Sequence, residues 1–247
     1  SIRPHPHGIE LGVLIKMLND TKARTLRQFL TGEFSRVSPR VAAQIAETAG
    51  LAADVRPSRL NGEAAKAIYA AIQKTKIMAP STDSVVPIGE SQLLSGLKQV
   101  VEAGFYTAVT RSPAVYRGNP FIIEAALAYG KPETKEGETP AAEGAGAAEA
   151  PAAAGDDDQA QLAKVVRFAN RVPLLYQQGA CAIYKAVAGL NWRQYGIAQS
   201  RGALPSGDLT IVVHMASVWV PFTSESKEAI ASYPEILREV RLALQEC

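Results

Sequence analysis

In the stretch "VPFTSESKEAI", residues 220–230, a lysine stands where an apolar strand gives way to what reads as a helix running from Lys227 to the C-terminus. Backbone N–H groups in a first helical turn carry partial positive charge, which disfavours a cation there by about 0.3–1 kcal/mol. Ser224 and Ser226 are good caps for those N–H groups, and a helix start with a lysine beside it is a ready anion site. The plainer reading is a side chain in water paired with Glu225 or Glu228, and on this stretch alone both readings stand.

A second set of cations lies near the other end of the chain. Arg24 and Arg27 fall at i, i+3 with Lys22 just before them, and Arg36 and Arg40 follow. Around helix starts and turns such residues can meet phosphates without reading a base sequence; the alternative is a solvated face. His5 and His7 in "RPHPHG" have no Cys, Asp or third His near them, and the flanking prolines favour an extended turn over a metal site. His214 lies inside an apolar run and reads as a core residue with a satisfied hydrogen bond. There is no Ser–His–Asp arrangement, no zinc spacing and no glycine-rich phosphate loop of the GxxxxGK[ST] kind. The three carboxylates of "GDDDQ" sit in a polar insert and read as a solvated charge run.

The elements that must position these groups fall into two parts. The chain has 247 residues, 47% of them hydrophobic, and a net charge of +2, enough for one large domain or two ordinary ones. Residues 1–80 hold 12 Lys and Arg against 6 Asp and Glu; residues 81–247 hold 14 against 18. A basic first part beside an acidic second part points to a polyanion partner for the first. Cys181 and Cys247 are the only cysteines and support neither a disulfide framework nor zinc, which fits a reducing, cytoplasmic setting. No apolar run is long enough to span a bilayer, so no membrane partner is expected. The first residue is Ser1, as in a processed chain or a fragment.

Residues 1–80 read as helices only. Leu11, Leu14, Ile15 and Leu18 recur at helical spacing, continued by Leu26, Phe29 and Leu30. "SPRVAAQIAETAG" has Ser38 as cap, Pro39 in the first turn and Gly50 after the end, and "NGEAAKAIYAAIQK" starts at Asn61. Residues 81–247 mix strands with helices. "GESQLLSGLKQVV" is helical; "FIIEAALAY" carries Phe121, Ile123, Ala125, Leu127 and Tyr129 on one face and Glu124 on the other. "KVVRFANRV" alternates as one strand through Val172, and "LTIVVHMASVWV" is apolar enough to be covered on both faces. The fold class is therefore α+β, a small all-α domain followed by a layered domain. Residues 131–160, rich in Ala, Gly, Pro and Glu, cannot bury enough surface to offset ordering and read as a disordered insert.

Seven strings go further: "RPHPHGIELG", "FLTGEFSRVSP", "TRSPAVYRGNPFIIEAALAYG", "RFANRVPLLYQQGAC", "NWRQYG", "QSRGALP" and "HMASVWVPFTSESKEAI". Together they closely resemble the B subunits of archaeal DNA topoisomerase VI, over nearly the whole chain except the insert. The resemblance implies a helix–two-turns–helix domain at 1–80 and a transducer domain at 81–247, with a mixed sheet, helices packed on one face and a left-handed β-α-β crossover, an exception to the usual hand. In that family a GHKL-type ATPase domain precedes these two. Its Asn/Glu magnesium elements and glycine-rich lid have no counterpart in this sequence, so ATP and Mg are expected to be bound mainly by that domain and this chain alone to be inactive. The resemblance makes Lys227 a switch lysine that reaches the γ-phosphate of ATP on the neighbouring domain, linking nucleotide state to domain geometry. It implies a type IIB topoisomerase, a heterotetramer of two A and two B subunits acting on double-stranded DNA, with the cleaving tyrosine on the A subunit. On charge and placement alone, Lys22, Arg24, Arg27, Arg36 and Arg40 are the candidate DNA contacts.

The same resemblance ends the chain, at Cys247, before a full B subunit would end, on a helix that starts an arm toward the A subunit. Ile230, Tyr233, Leu237, Val240 and Leu244 form its apolar stripe, and Pro234 past the first turn is expected to bend it outward. Two alternatives stay open: a stand-alone nucleic-acid-binding adaptor, and the transducer of another GHKL ATPase such as a mismatch-repair protein.

Overall fold

A computed structural model describes residues 3–132 and 161–247; the expected insert, apart from its first two residues, lies outside them. The first four helices carry the punctuation that the sequence shows. Helix α1 (Leu11–Asp20) turns Leu14 and Leu18 inward. The side chain of Thr25 caps α2 (Leu26–Glu33), Ser38 caps α3 (Pro39–Thr48) and Asn61 caps α4 (Gly62–Lys74), each accepting from the amide three residues on. They close over Phe29, Phe34, Ile45, Ile68 and Ile72, with the two phenyl rings edge to face at 5.7 Å. This apolar cluster runs from Ile9 to Ile77, and the others take their residues from Val85 onward.

Beyond it come α5 (Glu90–Val100), β1 (Phe105–Thr110), β2 (Ala114–Tyr116), β3 (Asn119–Tyr129), β4 (Lys164–Ala169), β5 (Val172–Pro173), α6 (Ala182–Gly189), β6 (Leu209–Ser217) and α7 (Pro234–Glu246). The sheet order is β1-β3-β6-β4-β5, with β2 also paired to β3. All pairs are antiparallel except β4 and β6, which run parallel and are joined through α6 in a β-α-β crossover. The alternation of strand residues decides the layers. Phe121, Ile123, Ala125 and Leu127 of β3 and Ile211, Val213 and Met215 of β6 face α6 and α7. Ala126, Ala128 and Val212, on the opposite face, lie under Leu93 and Leu97 of α5. The α+β architecture with a mixed sheet is as expected, but helices cover both faces: α5 needs the small alanines of β3 to approach closely.

Two further expectations are corrected. Strand β4 stops at Ala169 and does not continue to Val172. Asn170 and Arg171 take φ of 46° and 67° and turn the chain back in a two-residue hairpin, Ala169 pairing with Val172. The last helix does not begin at Lys227. Residues 221–231 are held in a closed turn by Thr223 N–H donating to Ala229 O (2.9 Å) and Ala231 N–H donating to Pro221 O (2.7 Å). The helix starts at Pro234, where a missing N–H costs nothing, so the proline opens α7 and does not bend it. Nor does α7 swing outward: Ile236, Val240, Ala243 and Leu244 are buried along its whole length, while Leu237 is only half-buried.

The segment "RPHPHG" packs against the β2–β3 turn. His5 has its Nε2 3.0 Å from Met78 O, and Gly118, at φ 71°, leaves room for the His5 ring that a Cβ would meet at 2.7 Å. The two imidazoles are thus occupied with main-chain carbonyls, His7 reaching Ile72 O at 2.9 Å.

Candidate functional site

Lys227 sits on the exposed tip of the turn, with φ 56° and its N–H donating to Ser224 O at 3.2 Å. The left-handed backbone is unfavourable for a residue with a Cβ and persists only where its surroundings impose it. Those surroundings are a bridge between Phe222 and Ile230 and the burial of Ala229 and Ile230 at 0% exposure. Ile230 O also accepts from Ala182 N–H at the start of α6 (2.8 Å). Ser224 and Ser226 cap no helix; their hydroxyls meet each other at 2.7 Å, and Ser226 donates to Glu228 Oε2 at 3.2 Å. The pairing with Glu225 or Glu228 is therefore not made: among the described residues no carboxylate lies within 4.0 Å of the Lys227 ammonium. The site is a solvated cation on a turn fastened to the core.

Behind the turn lies a residue that sequence reasoning passed over. Arg167 of β4 is 3% exposed and points to the α6 and α7 side of the sheet. Its guanidinium donates to three main-chain carbonyls, Glu228 O (3.2 Å), Leu174 O (3.0 Å) and Tyr176 O (2.8 Å). The signal was present in "KVVRFA": the alternation puts Arg167 on the same face as Ala169, where a cation is out of place.

A buried pair organises the opposite face. Glu124 of β3 stands in register with His214 of β6, and both are 0% exposed. The carboxylate accepts from His214 Nδ1 (2.7 Å), Ile88 N–H (2.8 Å), Gly89 N–H (2.7 Å) and the Thr110 hydroxyl (2.7 Å). Burial raises its pKa; the hydrogen bonds from His214, the Ile88 N–H, Thr110 and the Gly89 N–H outweigh that and hold it down to about 2. His214 Nε2 accepts Arg171 N–H at 3.1 Å, which makes the ring a neutral imidazole donating from Nδ1. Arg171 also donates to Pro87 O (3.1 Å). The pair thus ties the β4–β5 hairpin to the linker before α5. The expected role of His214, a core histidine with its hydrogen bonds made, is what the structure shows.

The five candidate DNA contacts of the helical part, Lys22, Arg24, Arg27, Arg36 and Arg40, are all exposed. Lys22 and Arg24 lie in the α1–α2 loop and Arg27 in the first turn of α2. Arg36 lies in the α2–α3 turn with its guanidinium 3.5 Å from Met78 Sδ, and Arg40 in the first turn of α3. They form two groups at the two ends of α2, whose 8 residues span about 12 Å. Arg3, which donates to Thr31 O (3.1 Å), joins Arg36 on one open pocket and was not singled out from the sequence. No cluster of three metal-ligating side chains occurs among the described residues, and no helix there is long and apolar enough to cross a membrane.

Residues 80–247 match the family model of the topoisomerase VI B subunit, transducer. The B subunit of type 2 DNA topoisomerase 6 from Archaeoglobus fulgidus is 43% identical over 246 residues, covering 100% of this chain and 37% of that protein. Its counterpart from Methanococcoides burtonii is 45% identical over 245 residues, 99% of this chain and 36% of that protein. That of Methanothermobacter thermautotrophicus is 35% identical over 98% of this chain and 42% of its own length. Among solved structures, the B subunit of DNA gyrase from Myxococcus xanthus aligns at 17% identity over 63% of this chain with a TM-score of 0.35, too slight a likeness to argue from. The chain spans well under half the length of these relatives, and with the transducer matched from residue 80 to residue 247 it belongs to the topoisomerase VI B-subunit family.

Proposed function

We propose that this chain is the part of a type IIB topoisomerase B subunit that converts nucleotide state into domain geometry. The observation that carries the reading is Lys227, a cation without a carboxylate partner among the described residues, displayed on a turn anchored to the sheet core. A compact ammonium on a flexible stem suits a terminal phosphate. The cofactor is ATP with Mg, bound mainly by a nucleotide-binding domain elsewhere in the protein, and its hydrolysis supplies the free energy. Lys227 is the contact from this chain to the γ-phosphate: it binds while the phosphate is present, holds the two domains in one orientation, and frees them when the phosphate leaves. The basic residues Lys22, Arg24, Arg27, Arg36 and Arg40 contact the backbone of double-stranded DNA. Two A subunits, which carry the cleaving tyrosines, and a second copy of the B subunit complete the machine.

Lys227→Ala in the full-length protein tests this. ATP turnover and DNA relaxation are expected to fall on the order of a hundredfold, the scale of losing one preorganised donor to phosphate charge. The thermal midpoint should move little, because the side chain is exposed. Relaxation at the normal rate would remove the switch assignment.

A further inference from the structure

We propose that Arg167 is the positioning residue for Lys227, an inference that rests on Lys227 being the phosphate-contacting cation proposed above. Arg167 is buried, with no carboxylate among the described residues within 4.0 Å. Packing alone does not call for a guanidinium there, since an apolar side chain of similar volume fills such a place without desolvating a charge. What the guanidinium adds is a rigid fork of donors that joins two surface segments distant in sequence. Nη2 takes Leu174 O and Tyr176 O on the segment after β5; Nη1 takes Glu228 O, the carbonyl of the residue next to Lys227.

The place of that last contact matters. The Phe222–Ile230 bridge and the Thr223–Ala229 hydrogen bond close the base of the turn, but residues 224–228 are otherwise bonded only among themselves. Among the described residues, the hydrogen bond from Arg167 is the one that reaches those five from outside the turn. It holds the Glu228–Ala229 peptide, one unit beyond the peptide that follows Lys227, while the Lys227 backbone occupies its left-handed conformation. A strained turn keeps one geometry only when neighbours over-determine it. A contact displaced by about 1 Å can cost a hundredfold in rate. Arg167 therefore acts through the backbone of the turn and touches no phosphate itself.

The test uses the full-length protein with Arg167→Met, Arg167→Lys, Lys227→Ala and the double variants. Amide hydrogen exchange over residues 222–230 reads the turn directly. In Arg167→Met the Lys227 amide, bonded to Ser224 O, is expected to exchange about tenfold faster or more, with β3 and β6 unchanged. ATP turnover should drop toward the level of Lys227→Ala with ATP binding unaltered, and adding Arg167→Met to Lys227→Ala should lower turnover no further. Arg167→Lys, which keeps the charge but not the fork, should fall between, and it serves if the methionine variant does not fold.

Unchanged exchange in the turn would overturn the proposal. So would faster exchange spread equally through β3 and β6, or a further loss of turnover in the Lys227→Ala background. If Lys227→Ala keeps full turnover, the phosphate reading fails by itself, and the exchange measurement still decides whether Arg167 orders the turn.

Discussion

Glu124 has no exposed atom, yet its surroundings hold it ionised. Its folded pKa of about 2 lies below the ordinary 4.5, so its contribution to stability is complete above about pH 4.5 and is lost as the pH falls toward 2. A shift of that size corresponds to about 3 kcal/mol. Denaturant midpoints of the wild type should therefore fall between pH 5 and pH 2 (about that window) more steeply than those of Glu124→Gln, which should already be weaker at pH 7. Parallel profiles for the two proteins would mean that the carboxylate is not what titrates. At this scale the sequence was informative about residue type and silent about partners. That His214 would be bonded in the core followed from its apolar strand. That its partner is Glu124, 90 positions away, follows only from the register of β3 against β6.

Helix α7 shows the same division for an element. Its apolar periodicity is plain in the sequence, but the start was misplaced, and with it the meaning of Pro234. Counted from Lys227, the proline sits past the first turn and bends an arm; counted from the observed start, it is the first helical residue. The charged side confirms that the helix lies along the domain: Arg111 after β1 is paired with Glu239 (2.6 Å) and with Glu246 near the last turn. Leu244, 4% exposed, is thus a core residue. Leu244→Ala is expected to cost about 2–5 kcal/mol and Leu237→Ala, half-buried, clearly less. Urea denaturation of the two variants checks the order. The reverse order would restore an arm anchored at its base and free at its end.

At the scale of the whole molecule, a basic helical part precedes a transducer that meets the nucleotide-bound domain in the proposed function. Replacing Arg24, Arg27 and Arg40 together by Ala should weaken duplex DNA binding without changing sequence preference. If all three meet phosphates, the magnitude of the slope of log K against log salt should fall by about 2.7, at about 0.9 per contact. Titrations at several salt concentrations measure it, and an unchanged slope would make these arginines a solvated face. The sequence alone determined the helix caps at Ser38 and Asn61, the inward stripes, the alternation in β3 and the family, because each is a local pattern or a contiguous string. Tertiary structure alone decided the turn around Lys227, the hairpin at Asn170–Arg171, α5 on the second face and the three carbonyls around Arg167. The contacts of α5 and the bonds of Arg167 join segments far apart in the chain, and the hairpin and the Lys227 turn, though closed locally, are fastened from afar by His214 and Arg167; local propensity carries no term for a partner that only folding brings near.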